Sequence, residues 1–209
     1  IDETLRALDD AVRAGKVRYI GASNNTAWQM MKAVGISEKN NWARFESIQA
    51  YYSVAGRDLE REVIPFAQDQ NLGIMVWSPM AGGFLSGKYR RDASSPEDAR
   101  RTNFDFPPIN KELAYDLVDI MDPIAKAHNV SVAQVAQKWV LDRAGVTCII
   151  IGAKKDEQLK QNLEVINIEL TADETAALDE ASQLSPEYPG WMVEIQKGDR
   201  TPEARLPGT

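Results

Sequence analysis

The sequence predicts an α/β fold with a parallel sheet, and two observations support this prediction. Four short apolar or β-branched runs alternate with longer segments of helical period, and the runs are residues 17–20, 47–51, 73–77 and 147–151. The first three runs begin 30 and 26 residues apart (17 to 47, then 47 to 73), which is about one strand–helix unit each. Right-handed crossovers of this kind bring the carboxyl ends of the strands to one edge of the sheet.

The segments between these runs carry helix signals. Leu5, Leu8 and Val12 recur at helical spacing ahead of Gly15, whose missing Cβ suits the left-handed residue that ends a helix. A second helix is expected from Thr26. The remaining predicted helices are one from about Asp58 to Gln70 that Asp58 caps, one from Asn110 to His128 that Pro123 should kink or break, one with the capping box Ser131–Gln134, and one with the capping box Thr171–Glu174.

The composition is that of a soluble globular domain and excludes several classes of function. The net charge is −7, from 24 Lys plus Arg and 31 Asp plus Glu, which argues against nucleic-acid partners and anionic membranes. One Cys and one His exclude a disulfide framework, multi-cysteine metal sites and a His-rich metal centre. No run approaches 18 apolar residues and no secretory leader opens the chain, so a cytoplasmic protein is expected. The first residue, Ile1, suggests a fragment.

The predicted organisation is a βα region over residues 1–184 and an irregular, proline- and glycine-rich tail over residues 185–209. The third spacing, 73 to 147, contains an insertion, and residues 86–110 within it are expected to form a mobile loop above a site. Four strands are too few for a closed eight-stranded barrel, which typically has about 250 residues. Half a barrel or a small open sheet is therefore expected.

Polar groups cluster at the predicted carboxyl ends of all four strands. Ser23 and Asn24 follow the first strand, Gln49 lies in the second, Trp77 precedes a glycine-rich turn, and Lys154 opens a helix. Each cluster alone has a structural explanation, namely a helix cap, a buried hydrogen bond, a core indole or a solvated lysine patch. Together they suit an amide-bearing ring joined to phosphates, since a helix N-terminus and lysines favour anions.

A competing motif follows the third strand. Residues 82–88, Gly-Gly-Phe-Leu-Ser-Gly-Lys, match the first seven positions of a P-loop, but Tyr89 occupies the place of the Ser or Thr that ligates magnesium. The nucleotide-triphosphatase interpretation is therefore disfavoured. His128 is expected to have a structural role at a helix C-terminus, and Cys148 is expected to be a small core residue.

Four motifs, in order along the chain, carry a family resemblance. They are residues 15–24 (GKVRYIGASN), 49–52 (QAYY), 77–89 (WSPMAGGFLSGKY) and 151–155 (IGAKK), the last followed by Gln158 and Asn162. These motifs resemble those of the aldo-keto reductases, most closely the bacterial and potassium-channel-β-like branches. The resembling region is the C-terminal half of that family's TIM barrel, its fifth to eighth strands. The expected fold is thus four βα units of a (β/α)8 barrel with extra helices and a C-terminal tail.

The resemblance implies NADP(H) as the cofactor and a role for each matching residue. Trp77 resembles the aromatic residue that stacks on the nicotinamide ring, and Lys154 favours NADP(H) over NAD(H). The other implied contacts are Ser23, Asn24 and Gln49 with the nicotinamide carboxamide, Ser78, Met80, Gly82 and Lys88 with the pyrophosphate, Gly152 together with Lys154 at the adenosine 2′-phosphate, and Gln158, Gln161 and Asn162 with adenine. Gln161 stands where family members often carry Glu.

The resemblance also implies an absence. The family's catalytic Asp, Tyr, Lys and His belong to its first four strands, which this chain does not match. Two hypotheses follow: the NADP(H)-binding half of a reductase that converts small-molecule aldehydes or ketones to alcohols, or a non-catalytic NADP(H)-binding or interaction module.

The half-barrel hypothesis has a physical corollary. Inner strand faces would be left open as an apolar patch, so self-association or pairing with a missing N-terminal half is expected. Both functional hypotheses require the Asn24 amide, the Trp77 indole and the Lys154 ammonium to share one rim of the fold.

Overall fold

The computed structural model describes residues 1–91, 101 and 104–200, so residues 92–100 and 102–103 of the predicted loop and the end of the tail lie outside the described residues. Its centre is a four-stranded parallel sheet of order β1-β2-β3-β4. The strands are β1 (Ile20–Ser23), β2 (Phe45–Tyr51), β3 (Gly73–Trp77) and β4 (Val146–Ile149). The predicted parallel α/β architecture is confirmed.

The helices that the described residues form are α1 (Asp2–Arg13), α2 (Ala27–Asn40), α3 (Val63–Asp69), α4 (Lys111–Ala127), α5 (Val132–Leu141), α6 (Asp156–Glu164), α7 (Ala172–Ala181) and α8 (Gly190–Arg200). Short 3-10 turns occupy Asp58–Glu60, Ala81–Ser86 and Val165–Asn167. The capping boxes predicted at Ser131 and Thr171 are both present. No helix among the described residues has the length and apolarity to cross a membrane.

Four local predictions were wrong. The first strand lies three residues later than expected, so that Val17 and Tyr19 are exposed. The helix predicted from Asp58 is split because Pro65, which lacks an N–H, would clash with a carbonyl one turn earlier. By contrast, α4 continues through Pro123 without a break. The tail contains the helix α8, which Pro189 precedes.

Among the described residues, helices cover one face of the sheet. Side chains at alternate positions, among them Ile48, Ile74 and Val76, are buried in a core cluster whose helical members include Ile64 of α3 and Val135 of α5. The opposite face carries residues in register across the strands; they are Gly21, Ser47 and Gly73, then Ser23, Gln49, Met75 and Cys148, then Tyr51 and Trp77.

This second face differs from the apolar patch that the sequence suggested, since small and polar residues predominate on it. Cys148 is exposed rather than buried in the core, since its register with Met75 places it on this open face.

A buried aromatic and charged cluster anchors α7 to α5. Trp139 is fully buried, and its indole Nε1 donates to Oδ1 of Asp179 at 3.0 Å. The guanidinium of Arg143 lies 4.4 Å from the Trp139 ring centroid and pairs with Asp179 at 2.9 Å. Arg57 lies 5.2 Å from the same ring and pairs with Glu60 at 2.8 Å.

Tyr52 completes this cluster. Its ring centroid is 5.6 Å from that of Trp139, and its hydroxyl donates to Oε1 of Glu60 at 2.5 Å. Burial raises the pKa of Tyr52 well above its usual range, and the bond to the Glu60 carboxylate raises it further. The phenol is therefore a permanent donor that helps to fix the segment after β2.

Candidate functional site

The carboxyl ends of the four strands share one edge of the sheet, as the parallel pairing requires. The first contact across this rim joins β1 to β3, where the indole Nε1 of Trp77 donates to Oδ1 of Asn24 at 2.9 Å. Asn24 has a left-handed backbone, with φ of 57°, directly after the last strand residue. Ser23 and Gln49 are register partners on the open face beside this contact. The carboxamide-side residues predicted from three separate motifs therefore lie together.

A second set of contacts joins the end of β3 to the end of β4. The side-chain amide of Gln137, on α5, donates to Sδ of Met80 at 3.3 Å and to Oδ1 of Asn162 at 2.9 Å. Asn162 Nδ2 in turn faces the carbonyl of Gly152 at 3.4 Å. The turn after β3 is thus tied to the predicted adenine side through a residue that the sequence did not single out.

The helix that follows β4 carries the predicted phosphate and adenine contacts. The backbone N–H of Lys154 donates to Oε1 of Gln158 at 2.9 Å, which holds this segment against the start of α6. Gln161 is tied through its carbonyl, which accepts from Nε2 of Gln134 at 2.9 Å. The side chains of Lys154 and Gln161 are exposed. A Cβ on Gly152 would meet no atom within 4 Å, so a ligand has open space above this backbone.

Lys88 is the predicted residue that the structure does not bring into this network. It is exposed at the far end of the glycine-rich turn, and within the described chain it shares no hydrogen bond or ion pair with the other predicted residues. Its assignment as a pyrophosphate clamp stays a prediction.

The turn after β3 is strained. Ser78 and Ala81 have φ of 56° and 49°, a left-handed conformation that costs a residue with a Cβ about 1–3 kcal/mol. The Ser78 hydroxyl accepts from the N–H of Gly82 at 2.7 Å, and the N–H of Gly83 donates to the carbonyl of Met80 at 2.9 Å. The polar groups predicted to cradle a pyrophosphate therefore satisfy one another in this structure. Strain of this kind clusters at functional sites and supports such a role for the turn.

A segment outside the predicted site covers this turn. Phe106 stacks on Trp77 with ring centroids 5.6 Å apart and an interplanar angle of 8°. Arg101 is buried and holds the segment in place, since its guanidinium donates to the carbonyls of Ala81 at 2.7 Å and Pro107 at 2.8 Å. Gly82 is required beneath it because a Cβ there would collide with the Phe106 carbonyl oxygen.

The charge of Arg101 is balanced by Asp105, at 2.5 Å. Hydrogen bonds from Lys111 and Arg101 hold the pKa of Asp105 below its usual range. Arg101 and Phe106 lie within residues 86–110, the loop that the sequence predicted above a site, but sequence analysis did not single them out because this stretch has no periodicity. The one signal in the sequence was the spacing of four residues between Arg101 and Asp105, which suits an ion pair.

His128 pairs with Glu174 at 2.9 Å, away from the rim, which fits the structural role expected for it. Burial by itself would raise the pKa of Glu174, but hydrogen bonds from Thr171 and His128 outweigh it and lower that pKa. Among the described residues no group of three His, Cys, Asp or Glu side chains could hold a metal ion.

The parallel sheet with helices on one face, and the polar rim at its carboxyl edge, define a chain of the βα-barrel class. The profile of the Aldo/keto reductase family matches residues 1–183, and the chain belongs to that family. The resemblance seen in the four sequence motifs is thereby confirmed.

Individual relatives agree with this assignment. The chain is 33% identical over 203 residues to the uncharacterized oxidoreductase YrpG of Bacillus subtilis, covering 97% of this chain and 57% of that protein. It is 31% identical over 189 residues to an aryl-alcohol dehydrogenase of Pestalotiopsis microspora, and the match covers 90% of this chain and 47% of that protein. Among solved structures, the aldo-keto reductase Tm1743 in complex with the inhibitor epalrestat aligns with a TM-score of 0.64 and 26% identity, covering 86% of this chain and 54% of that one. The chain spans about half the length of the relatives it matches.

Proposed function

We propose that this chain supplies the NADP(H)-binding part of a reductase that converts small-molecule aldehydes or ketones to alcohols. The observation that carries the proposal is the continuous rim, which runs from Asn24 and Trp77 at one end to Gly152 and Asn162 at the other. An exposed amide and a half-buried indole at one end and an exposed Lys154 at the other fit a dinucleotide with a ring at one end and phosphates at the other.

The residues at the ring end would orient the nicotinamide. Because Asn24 Oδ1 accepts from the Trp77 indole, the Asn24 amide presents its NH₂ outward, where it can donate to the carboxamide oxygen of the ring. Ser23 and Gln49 lie beside it on the same face. Trp77 supplies the apolar surface for stacking, and the bound cofactor would supply the hydride.

Cationic and amide groups at the other end would hold the adenosine 2′-phosphate and adenine. Lys154 is an exposed ammonium just before the N-terminus of α6, whose backbone amides also favour an anion. Gln158, Gln161 and Asn162 follow on that helix. The acidic first turn, with Asp156 and Glu157, opposes part of this attraction, so Lys154 carries the preference for a 2′-phosphate.

Reduction of a carbonyl needs a proton on oxygen as well as a hydride on carbon. The Asp, Tyr, Lys and His that the family uses for this purpose match no positions in this chain, so we assign the proton donor to a segment outside it. The chain alone is then a cofactor-binding unit that does not turn over substrate. A reducing, cytoplasmic setting suits its single, exposed cysteine.

The missing segment has a place to bind. The open face of the sheet and the outer edges of β1 and β4 make no strand pairing within the described residues. Unpaired edges promote association, so we propose pairing with the complementary half of a barrel or, without it, with a second copy. Light scattering is expected to show a dimer or larger species for the chain alone, and a monodisperse monomer would refute this proposal.

Titration with NADPH tests the proposed function. Binding is expected to quench tryptophan fluorescence through Trp77, and to be tighter than binding of NADH because Lys154 meets the 2′-phosphate. The variant Trp77→Leu should lose the quenching, whereas Trp28→Leu, at an indole that is 62% exposed on α2, should keep it. No quenching by either nucleotide would refute the proposal.

Activity measurements separate the two functional hypotheses. NADPH-dependent carbonyl reduction by the 209 residues alone would disprove the assignment of the proton donor to another segment. The reductase hypothesis predicts that turnover appears once a segment carrying the family's Asp, Tyr, Lys and His is restored. Binding without turnover in that complete protein would favour the non-catalytic NADP(H)-binding module instead.

A further inference from the structure

Gln137 is a buried amide in the middle of α5 that contacts both halves of the rim. Its exposed fraction is 0%. Val135, Ala136 and Val140, which neighbour it on the helix, are apolar and equally buried. From this position Nε2 of Gln137 reaches Met80 and Asn162, as described above.

The chemistry of Met80 fixes the orientation of this amide. A thioether sulfur accepts hydrogen bonds and cannot donate them, so the Gln137 group that faces it at 3.3 Å must be the NH₂. The same NH₂ lies 2.9 Å from Asn162, whose nearest atom must therefore be the oxygen Oδ1. The NH₂ of Asn162 is then directed towards the Gly152 carbonyl, to which it donates at 3.4 Å, and a Cβ built on that glycine would meet no atom within 4 Å.

This arrangement leaves one atom without a partner. Oε1 of Gln137 is buried and makes no hydrogen bond with the described residues. A buried carbonyl oxygen without a partner is unfavourable, and a leucine would fill the same volume without that cost. Stability alone therefore does not account for a glutamine at this place in an apolar helix.

We propose that Gln137 is a positioning residue that holds the Asn162 carboxamide with its NH₂ towards the bound nucleotide. The site consequently presents a hydrogen-bond donor at its adenine end and selects a base with an acceptor nitrogen there. This inference rests on the proposed function, since it assigns an orientation within the same cofactor site. Met80 also contributes, because its sulfur accepts from the Gln137 NH₂ and so disfavours rotation of that amide by 180°.

A double-substitution cycle on the 209-residue chain tests the inference. Affinity for 2′,5′-ADP, which carries the adenine end, is measured by calorimetry for the unchanged chain, Gln137→Leu, Asn162→Ala and the combination. Each single substitution is expected to weaken 2′,5′-ADP binding about five- to tenfold, the value of one hydrogen bond. The combination is expected to be no weaker than Asn162→Ala, because Gln137 acts through Asn162.

Binding of the reduced nicotinamide mononucleotide supplies the internal control. Its affinity, followed through tryptophan fluorescence, should be the same in all four proteins because it contacts the ring end alone. A general loss of structure would weaken both probes. Gln137→Met, which keeps the length of the side chain but removes the donor, replaces Gln137→Leu if that variant does not fold.

The outcomes distinguish this inference from the proposed function. If the unchanged chain binds neither NADPH nor 2′,5′-ADP, both are overturned. If it binds NADPH but Gln137→Leu and Gln137→Met retain full affinity for 2′,5′-ADP, the positioning role alone is overturned. A further loss when Gln137→Leu is added to Asn162→Ala would also overturn it, since Gln137 would then act independently of Asn162.

Discussion

Replacing Trp139 by alanine is expected to lower the free energy of unfolding by about 3–5 kcal/mol, the usual range for removing a large aromatic residue from a core. The side chain is fully buried and packs against Tyr52. Its loss also removes the ring that the guanidinium groups of Arg57 and Arg143 contact, and the indole donor to Asp179. Since single domains are stable by only about 5–15 kcal/mol, this loss is a large part of the total.

Equilibrium unfolding in urea, followed by far-ultraviolet circular dichroism, measures this change. Trp28→Ala is the matched control, because that indole is 62% exposed on the surface of α2 and its removal should cost less than about 0.5 kcal/mol. The stability of Trp139→Phe should lie between those of Trp139→Ala and Trp28→Ala, because phenylalanine keeps an aromatic ring but loses the hydrogen bond to Asp179. Equal stability of Trp139→Ala and Trp28→Ala would show that the cluster does not anchor α7.

Replacing Gly82 by alanine is expected to lower the free energy of unfolding by about 2–5 kcal/mol. Part of the loss comes from the left-handed backbone, φ of 68°, which costs a residue with a Cβ about 1–2 kcal/mol. The remainder, about 1–3 kcal/mol, comes from the collision of the new Cβ with the Phe106 carbonyl and with the Arg101 guanidinium. Relief of that collision requires Phe106 to move off Trp77.

Gly83→Ala is the control that isolates the collision. Gly83 also has a positive φ, 92°, but a Cβ there would meet no atom within 4 Å. Gly83→Ala should therefore show the backbone cost alone and keep the near-ultraviolet circular dichroism of the stacked aromatic rings, whereas Gly82→Ala should lose part of that signal. The described packing of residues 104–107 would be contradicted if both variants lost the same stability and kept the same spectrum.

The fold could be predicted from the sequence wherever a local pattern determined the structure. The strands β2 and β3 were predicted from short runs of apolar residues, and alternate residues of both are buried. The capping boxes at Ser131 and Thr171 mark helix starts through a contact between residues three apart. The prediction of β1 failed because exposed Val17 and Tyr19 have a higher strand propensity than Gly21, Ala22 and Ser23, which pair with β2. Pairing with a neighbouring strand outweighs propensity at such a place.

The candidate site was predictable to the extent that topology determines it. Parallel strands bring Asn24 and Trp77 to the same edge whatever lies between them in the chain, and these two side chains do touch. The sequence could not indicate Gln137, because its role depends on packing between α5 and the turn at Met80. Nor could it indicate that Phe106 would cover Trp77, since that contact follows from a buried arginine in a segment without a pattern.

The stacking of Phe106 on Trp77 has a consequence for every affinity measured at this rim. A flat ring that is to occupy the covered side of the indole must first displace a side chain of the same polypeptide. The apparent dissociation constant then equals the intrinsic constant divided by the fraction of molecules in which Phe106 has already moved away. Titrations will therefore report how firmly Arg101 holds residues 104–107 as well as how well the incoming ring stacks.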